Sequence, residues 1–115
     1  MKKREYRDYL LDILNSIEDV ETFIKDMTYD DFFLDRKTSL AVVRSIEIIG
    51  EAARQIPRSV KDKGPSIPWE QMVGMRNKIT HEYFGVDYKI VWKTAKQSLP
   101  KLKTKLARLI KQVSE

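Results

Sequence analysis

Arg4–Met27 reads REYRDYLLDILNSIEDVETFIKDM, and its apolar residues decide the fold class. Tyr6, Leu10, Ile13, Ile17, Val20, Ile24 and Met27 recur at steps of four and three, the spacing of one face of an α-helix. Leu14 and Phe23 lie beside this stripe and widen it. A second ladder closes the chain: Tyr88, Trp92, Ala95, Leu99, Leu102, Leu106, Leu109 and Val113. It keeps its phase across Pro100, although proline deletes a backbone hydrogen bond and crowds the preceding turn. The pattern predicts two in-phase helices, or one sharply kinked, with the defect between Gln97 and Pro100.

Two further helices fit between the ladders. Thr28 to Asp31 reads as a short turn, with Asp30 or Asp31 able to cap the next helix. The second helix is expected from about Phe32 to Gln55, stopped by Pro57, with a core line of Leu34, Thr38, Val42, Ser45, Ile49, Ala53 and Ile56. Ala41, Ser45, Gly50, Ala52 and Ala53 are small enough to let a neighbouring helix approach closely. Pro57 to Pro68 reads as the one substantial loop. A third helix is expected from about Pro68 to Tyr83, anchored by Trp69, before Phe84-Gly85-Val86-Asp87 breaks it. There Gly85 can take positive φ and Asp87 can cap the next helix. No strand pattern appears. The expected fold is all-α, an up-down bundle of four long helical segments, the last broken or kinked near Pro100, with residues 1–115 as a single domain.

Composition narrows the chemistry. The chain has 115 residues, no cysteine and one histidine, which excludes disulfides, thiolate metal sites and a multi-histidine cluster within one chain. No apolar run approaches 18 residues and the start lacks a signal-peptide core, so the expected location is the cytoplasm, with no membrane contact. The net charge of +5 is unevenly spread. Glu5 to Asp35 holds ten acids against Arg7 and Lys25, whereas Lys89 to Lys111 holds seven lysines and Arg108 with no acid. Such a run is either a solvated helix face or a track for a polyanion or acidic partner.

The single histidine sits in Gly74-Met75-Arg76-Asn77-Lys78-Ile79-Thr80-His81-Glu82-Tyr83. On a helix, Arg76, Asn77, Thr80, His81 and Tyr83 share one arc opposite Met72, Met75 and Ile79. Arg76 and His81 are then about 7.5 Å apart along the axis, close enough to converge on one phosphate. Gly74 falls on nearly the azimuth of His81 and leaves open space beside it. Arginine grips phosphate through two parallel donors, imidazole moves protons near neutrality, and Asn77 can orient the ring or donate to a phosphate oxygen. These groups fit attack of an RNA 2′-hydroxyl on the adjacent phosphorus without metal or cofactor, because the substrate carries its own nucleophile. One histidine cannot both accept and donate a proton, so a two-fold homodimer with both copies of the third helix at the axis is expected to supply a second Arg76 and His81. The plainer reading is an ordinary surface histidine, with Arg76 paired to Glu70, Glu82 or a neighbouring helix. Glu47 and Glu51 read as ion-pair partners for Arg44, Arg54 or another subunit, outside the site.

Arg76-Asn77-x3-His81-x-Tyr83 resembles the signature of the HepT-like branch of the HEPN superfamily, and the resemblance extends to Ser45–Ala53 upstream and to Phe84–Asp87 with Val91-Trp92 downstream. Many such small helical proteins are ribonuclease toxins encoded beside a minimal nucleotidyltransferase antitoxin. The resemblance implies a metal-independent endoribonuclease with a composite dimeric cleft, Arg76, Asn77 and His81 as catalytic residues, RNA as substrate, and Tyr83 as acceptor of AMP from the antitoxin. The alternative is a non-catalytic helical binding subunit partnering a nucleotidyltransferase. A DNA-binding regulator fits less well, since the third helix carries only Arg76 and Lys78 as basic groups.

Overall fold

A computed structural model describes residues 3–81 and 85–114. The fold is an all-α bundle whose elements follow the apolar ladders. Helix α1 (Tyr6–Phe23) starts where the Glu5 backbone N–H donates to the Asp8 carboxylate at 2.9 Å. It stops short of the expected Met27, because Asp26 adopts φ 62° and turns the chain out of the right-handed helix. Leu10, Ile13, Ile17, Val20 and Ile24 are buried all the same; the stripe outlasts the helix by one turn.

The second expected helix is divided. Thr28 caps a short α2 (Tyr29–Leu34), accepting from the Asp31 N–H at 3.1 Å. Asp35 then leaves the helical region and caps α3 (Arg36–Arg54). Its carboxylate accepts from the Thr38 N–H at 3.0 Å and the Thr38 hydroxyl at 2.8 Å. Those two bonds favour the ionised form, the backbone one most, and hold the Asp35 carboxyl below its ordinary 3.8. Dividing the helix resets its phase, which corrects the predicted core line. Leu34 is 80 % exposed while Phe32 is fully buried. From Val42 onward, Ser45, Ile49, Ala53 and Ile56 are buried as expected, joined by Ile46.

The loop after Pro57 contains one helical turn, α4 (Arg58–Lys61), which buries Val60. Trp69 opens α5 (Trp69–Ile79) and is buried, its indole N–H donating to the Gly64 carbonyl at 3.2 Å. Helix α5 packs on α3 with its backbone close to Gly50, where a Cβ would stand 2.9 Å from the Met72 carbonyl oxygen. Glycine is needed there for the close approach expected from the small residues.

Helix α5 ends at Ile79, four residues before the expected Tyr83. Thr80 is extended, at φ −114° and ψ 123°, and β1 (Thr80–His81) pairs antiparallel with β2 (Gly85–Val86), Thr80 opposite Val86 and His81 opposite Gly85. Gly85 takes φ 75° and Asp87 caps α6 (Tyr88–Lys93), accepting from the N–H groups of Lys89 and Ile90, both as predicted.

A π-helical segment, Thr94–Ser98, joins α6 to α7 (Leu99–Ser114). The expected defect begins one turn early because the proline ring crowds the carbonyl four residues before it, that of Lys96. The wider turn lets the Leu99 N–H reach the Thr94 carbonyl. Leu99, Leu102, Leu106, Leu109 and Val113 stay buried. Helix α7 lies antiparallel to α1: the Arg7 guanidinium donates to the Val113 carbonyl at 3.0 Å, and Lys103 pairs with Glu21 at 2.8 Å. Among the described residues, no helix is long and apolar enough to cross a membrane.

Candidate functional site

Arg76 and Asn77 lie exposed on the last turn and a half of α5, on the side facing α3. They line a surface pocket of about 180 Å³ between the two helices, with Glu47, Gly50, Glu51 and Arg54 on the opposite wall. Arg76 Nε stands 4.0 Å from Glu47 Oε2, and its side chain is 73 % exposed against 27 % for Glu47. The guanidinium is therefore tethered from beneath and open to solvent above.

His81 is placed by the end of the helix, not by its face. Each extended residue advances about 3.3 Å, against about 1.5 Å in a helix, so Thr80 and His81 carry the chain beyond the arc that a helix to Tyr83 would form. The shared helical arc is thus corrected: Arg76 and Asn77 keep their helical places, and His81 is set by the strand pairing with Gly85. Tyr83 lies outside the described residues.

Gly74 is also relocated. Its surroundings hold no atom within 4 Å of an added Cβ, so the open space is there. That space belongs to a different pocket, of about 270 Å³, shared with Met75, Lys78, Thr94 and Ser98 on the side of α5 turned toward the π segment. Gly74 and the Arg76–Asn77 pair thus serve opposite sides of the same helix.

Glu51 has the partner expected of it, Arg44 at 3.3 Å. Glu47 was placed outside the site by its sequence context, yet its partner is Arg76 itself. The i,i+4 spacing of Glu47 and Glu51 carries no hint of this, because the contact crosses between helices. The lysine run is partly structural: Lys103 bridges to Glu18 and Glu21, Lys105 donates to the Ser66 carbonyl at 3.0 Å, and Lys96 lies over the Trp92 ring at 5.5 Å. Pairing with Glu21 holds the Lys103 amine above its ordinary 10.5. Among the described residues no three carboxylate, imidazole or thiol side chains gather as metal ligands do.

Residues 13–109 match the model of a family described as ribonuclease HepT-like. A Thermococcus cleftensis protein named "Probable ribonuclease HepT" is 48% identical over 109 residues, covering 95% of this chain and 99% of that one. A Methanocaldococcus jannaschii protein named as an RNase is 43% identical over 115 residues, covering 100% and 99%. A Caldanaerobacter subterraneus protein, also named as an RNase, is 38% identical over 106 residues, covering 92% and 95%. No solved structure matches the chain.

Proposed function

The chain belongs to the HepT-like ribonuclease family, and from that premise we propose that it is the toxin of a toxin–antitoxin module, a metal-independent endoribonuclease. The observation that carries this reading is the placement of Arg76 and Asn77 on one open pocket directly before the strand that contains His81. Arg76 holds the scissile phosphate through its terminal nitrogens. Asn77 donates to a phosphate oxygen or orients the imidazole. The substrate 2′-hydroxyl attacks phosphorus, the 5′-oxygen leaves, and His81 moves a proton. A 2′,3′-cyclic phosphate and a 5′-hydroxyl result, and DNA is inert for want of the nucleophile.

The active form is a homodimer with α5 near the two-fold axis, so that two copies of the motif form one cleft. A minimal nucleotidyltransferase antitoxin neutralises the chain by moving AMP onto the Tyr83 hydroxyl, which adds a phosphodiester anion that competes with RNA phosphate for Arg76. Supporting this reading are the motif spacing and the family's identity. The protein acts in the cytoplasm.

The test is labelled RNA incubated with purified protein, with and without EDTA. Cleavage that persists in EDTA and disappears in His81→Ala is the expected result. Cutting that EDTA stops and His81→Ala spares overturns the mechanism, and no cutting under any condition favours a binding subunit. Co-expression with the transferase should add whole AMP masses to the wild type and none to Tyr83→Phe. Increments that persist in that variant put the modification elsewhere.

A further inference from the structure

Cleavage by 2′-hydroxyl attack needs a proton acceptor and a proton donor, and each chain has one histidine. The pocket beneath Arg76 offers a second proton-transfer group within the same chain. Two carboxylates line it, and they differ. Glu51 is 62 % exposed and turned to Arg44 along the surface of α3. Glu47 is more enclosed, and its Oε2 lies 4.0 Å from Arg76 Nε, a distance of charge attraction and too long for a hydrogen bond. Glu47 accepts no hydrogen bond from the described residues, so its oxygens are free to take one from a ligand. Because the contact is on the Nε side, the two terminal nitrogens of Arg76 remain for a phosphate. Gly50, one turn beyond Glu47, lets the α5 backbone descend onto α3. That close approach is what puts a carboxylate of one helix under an arginine of the other.

We propose that Glu47 is the proton acceptor of the reaction. With a phosphodiester held on Arg76, Glu47 takes the 2′-hydroxyl proton as that oxygen bonds to phosphorus. The bond from phosphorus to the 5′-oxygen breaks, and His81 gives its proton to the departing oxygen. One proton is taken and one given, the product is the cyclic phosphate, and neither water nor metal is consumed. This rests on the reading of Arg76 and His81 above and changes only the source of the acceptor, from a second chain's imidazole to this chain's own carboxylate. Among the described residues, the charged groups about Glu47 are Arg76 from α5, with Arg54, Glu51 and its partner Arg44 from α3.

The experiment is the pH dependence of kcat and KM for RNA cleavage by wild type, Glu47→Gln and Glu47→Asp, with affinity for a 2′-deoxy analogue measured alongside. Expected for the wild type is an acid limb in the pH profile of kcat. Glu47→Gln should lower kcat by roughly 10²–10⁴, abolish that limb, and leave KM and analogue affinity nearly unchanged. Glu47→Asp should keep the limb and lose less, which excludes a folding defect as the cause. A Glu47→Gln protein that cleaves at the wild-type rate overturns the proposal. So does one that loses affinity at constant kcat, the signature of a mere tether for Arg76. An acid limb that survives unchanged in Glu47→Gln assigns proton acceptance elsewhere and overturns it too. His81→Ala separates the two levels: if it cleaves normally, the parent reading fails, whatever Glu47 does.

Discussion

Two interruptions of helical structure in this chain have opposite outcomes. At Pro100 a residue that disfavours helix is absorbed: the backbone widens through Thr94–Ser98, and the chain continues to Ser114. At Ile79 no such residue is present, yet the helix stops and two extended residues come next. The apolar ladder explains the difference. Beyond Pro100 it continues through Leu102, Leu106 and Leu109, all buried, and each buried leucine contributes about 1.5–3 kcal/mol, which readily offsets one lost hydrogen bond of about 0.5–1.5 kcal/mol. Beyond Ile79 the next described residue, Thr80, is exposed. Among the described residues that follow, the strand pairing and the Asp87 cap hold the chain instead. Burial on the far side decides whether a helix passes through an interruption, and the candidate chemistry stands at the one that does not.

If activity belongs to the Ile79 end, substitutions at the two interruptions should separate cleanly. His81→Ala is expected to slow RNA cleavage by roughly 10²–10⁴, and Arg76→Lys should recover little because it lacks the bidentate fork. Pro100→Ala should leave cleavage unchanged in the same gel assay. Equal losses at both positions would break the comparison.

The next largest effect is structural. Gly50→Ala places a Cβ 2.9 Å from the Met72 carbonyl and should destabilise the fold by about 1–3 kcal/mol. Thermal melts should show Tm falling by several degrees, and cleavage should fall with it as α5 lifts from α3. In β2, Gly85→Ala meets φ 75° and should cost about 1–2 kcal/mol, with a larger loss in cleavage than in Tm if the pairing with Gly85 sets His81. A smaller effect of opposite sign is expected at Gly74, where an added methyl meets nothing. Gly74→Ala should stabilise α5 by up to about 1 kcal/mol in denaturant titration. Destabilisation together with loss of dimer in sedimentation would instead put a second copy against that pocket.

The smallest effect concerns the tie between α7 and α1. Lys103 has its amine value raised by Glu21, so its contribution is complete below the ordinary 10.5 and is lost as pH rises through the higher folded-state value. Lys103→Gln should be slightly less stable than wild type at neutral pH, and the difference should close in strongly alkaline buffer. A gap that does not change with pH would assign the effect to packing of the lysine stem.

The residues whose roles depend on their own element alone were legible. The ladders of α1 and α7, the positive φ of Gly85, the Asp87 cap and the Trp69 anchor come from local spacing and backbone chemistry. Periodicity misled where a cap overruled a stripe: Asp35 offered Thr38 two hydrogen bonds, restarted the helix and left Leu34 in solvent. It misled again at Thr80, because helical spacing among polar residues has no burial to enforce it.

Periodicity and residue type, properties of the chain alone, were enough for the helical bundle and for the kinds of side chain available for phosphate chemistry. Three facts came only with the packing: Glu47 lies under Arg76, Gly74 opens onto the other side of α5, and His81 lies on a strand. The first two depend on how α5 crosses α3, which is set by ridges of side chains meeting across the interface and by the room left at Gly50. The third depends on the pairing of Thr80 and His81 with Val86 and Gly85. No spacing within one helix encodes where a second helix will lie upon it.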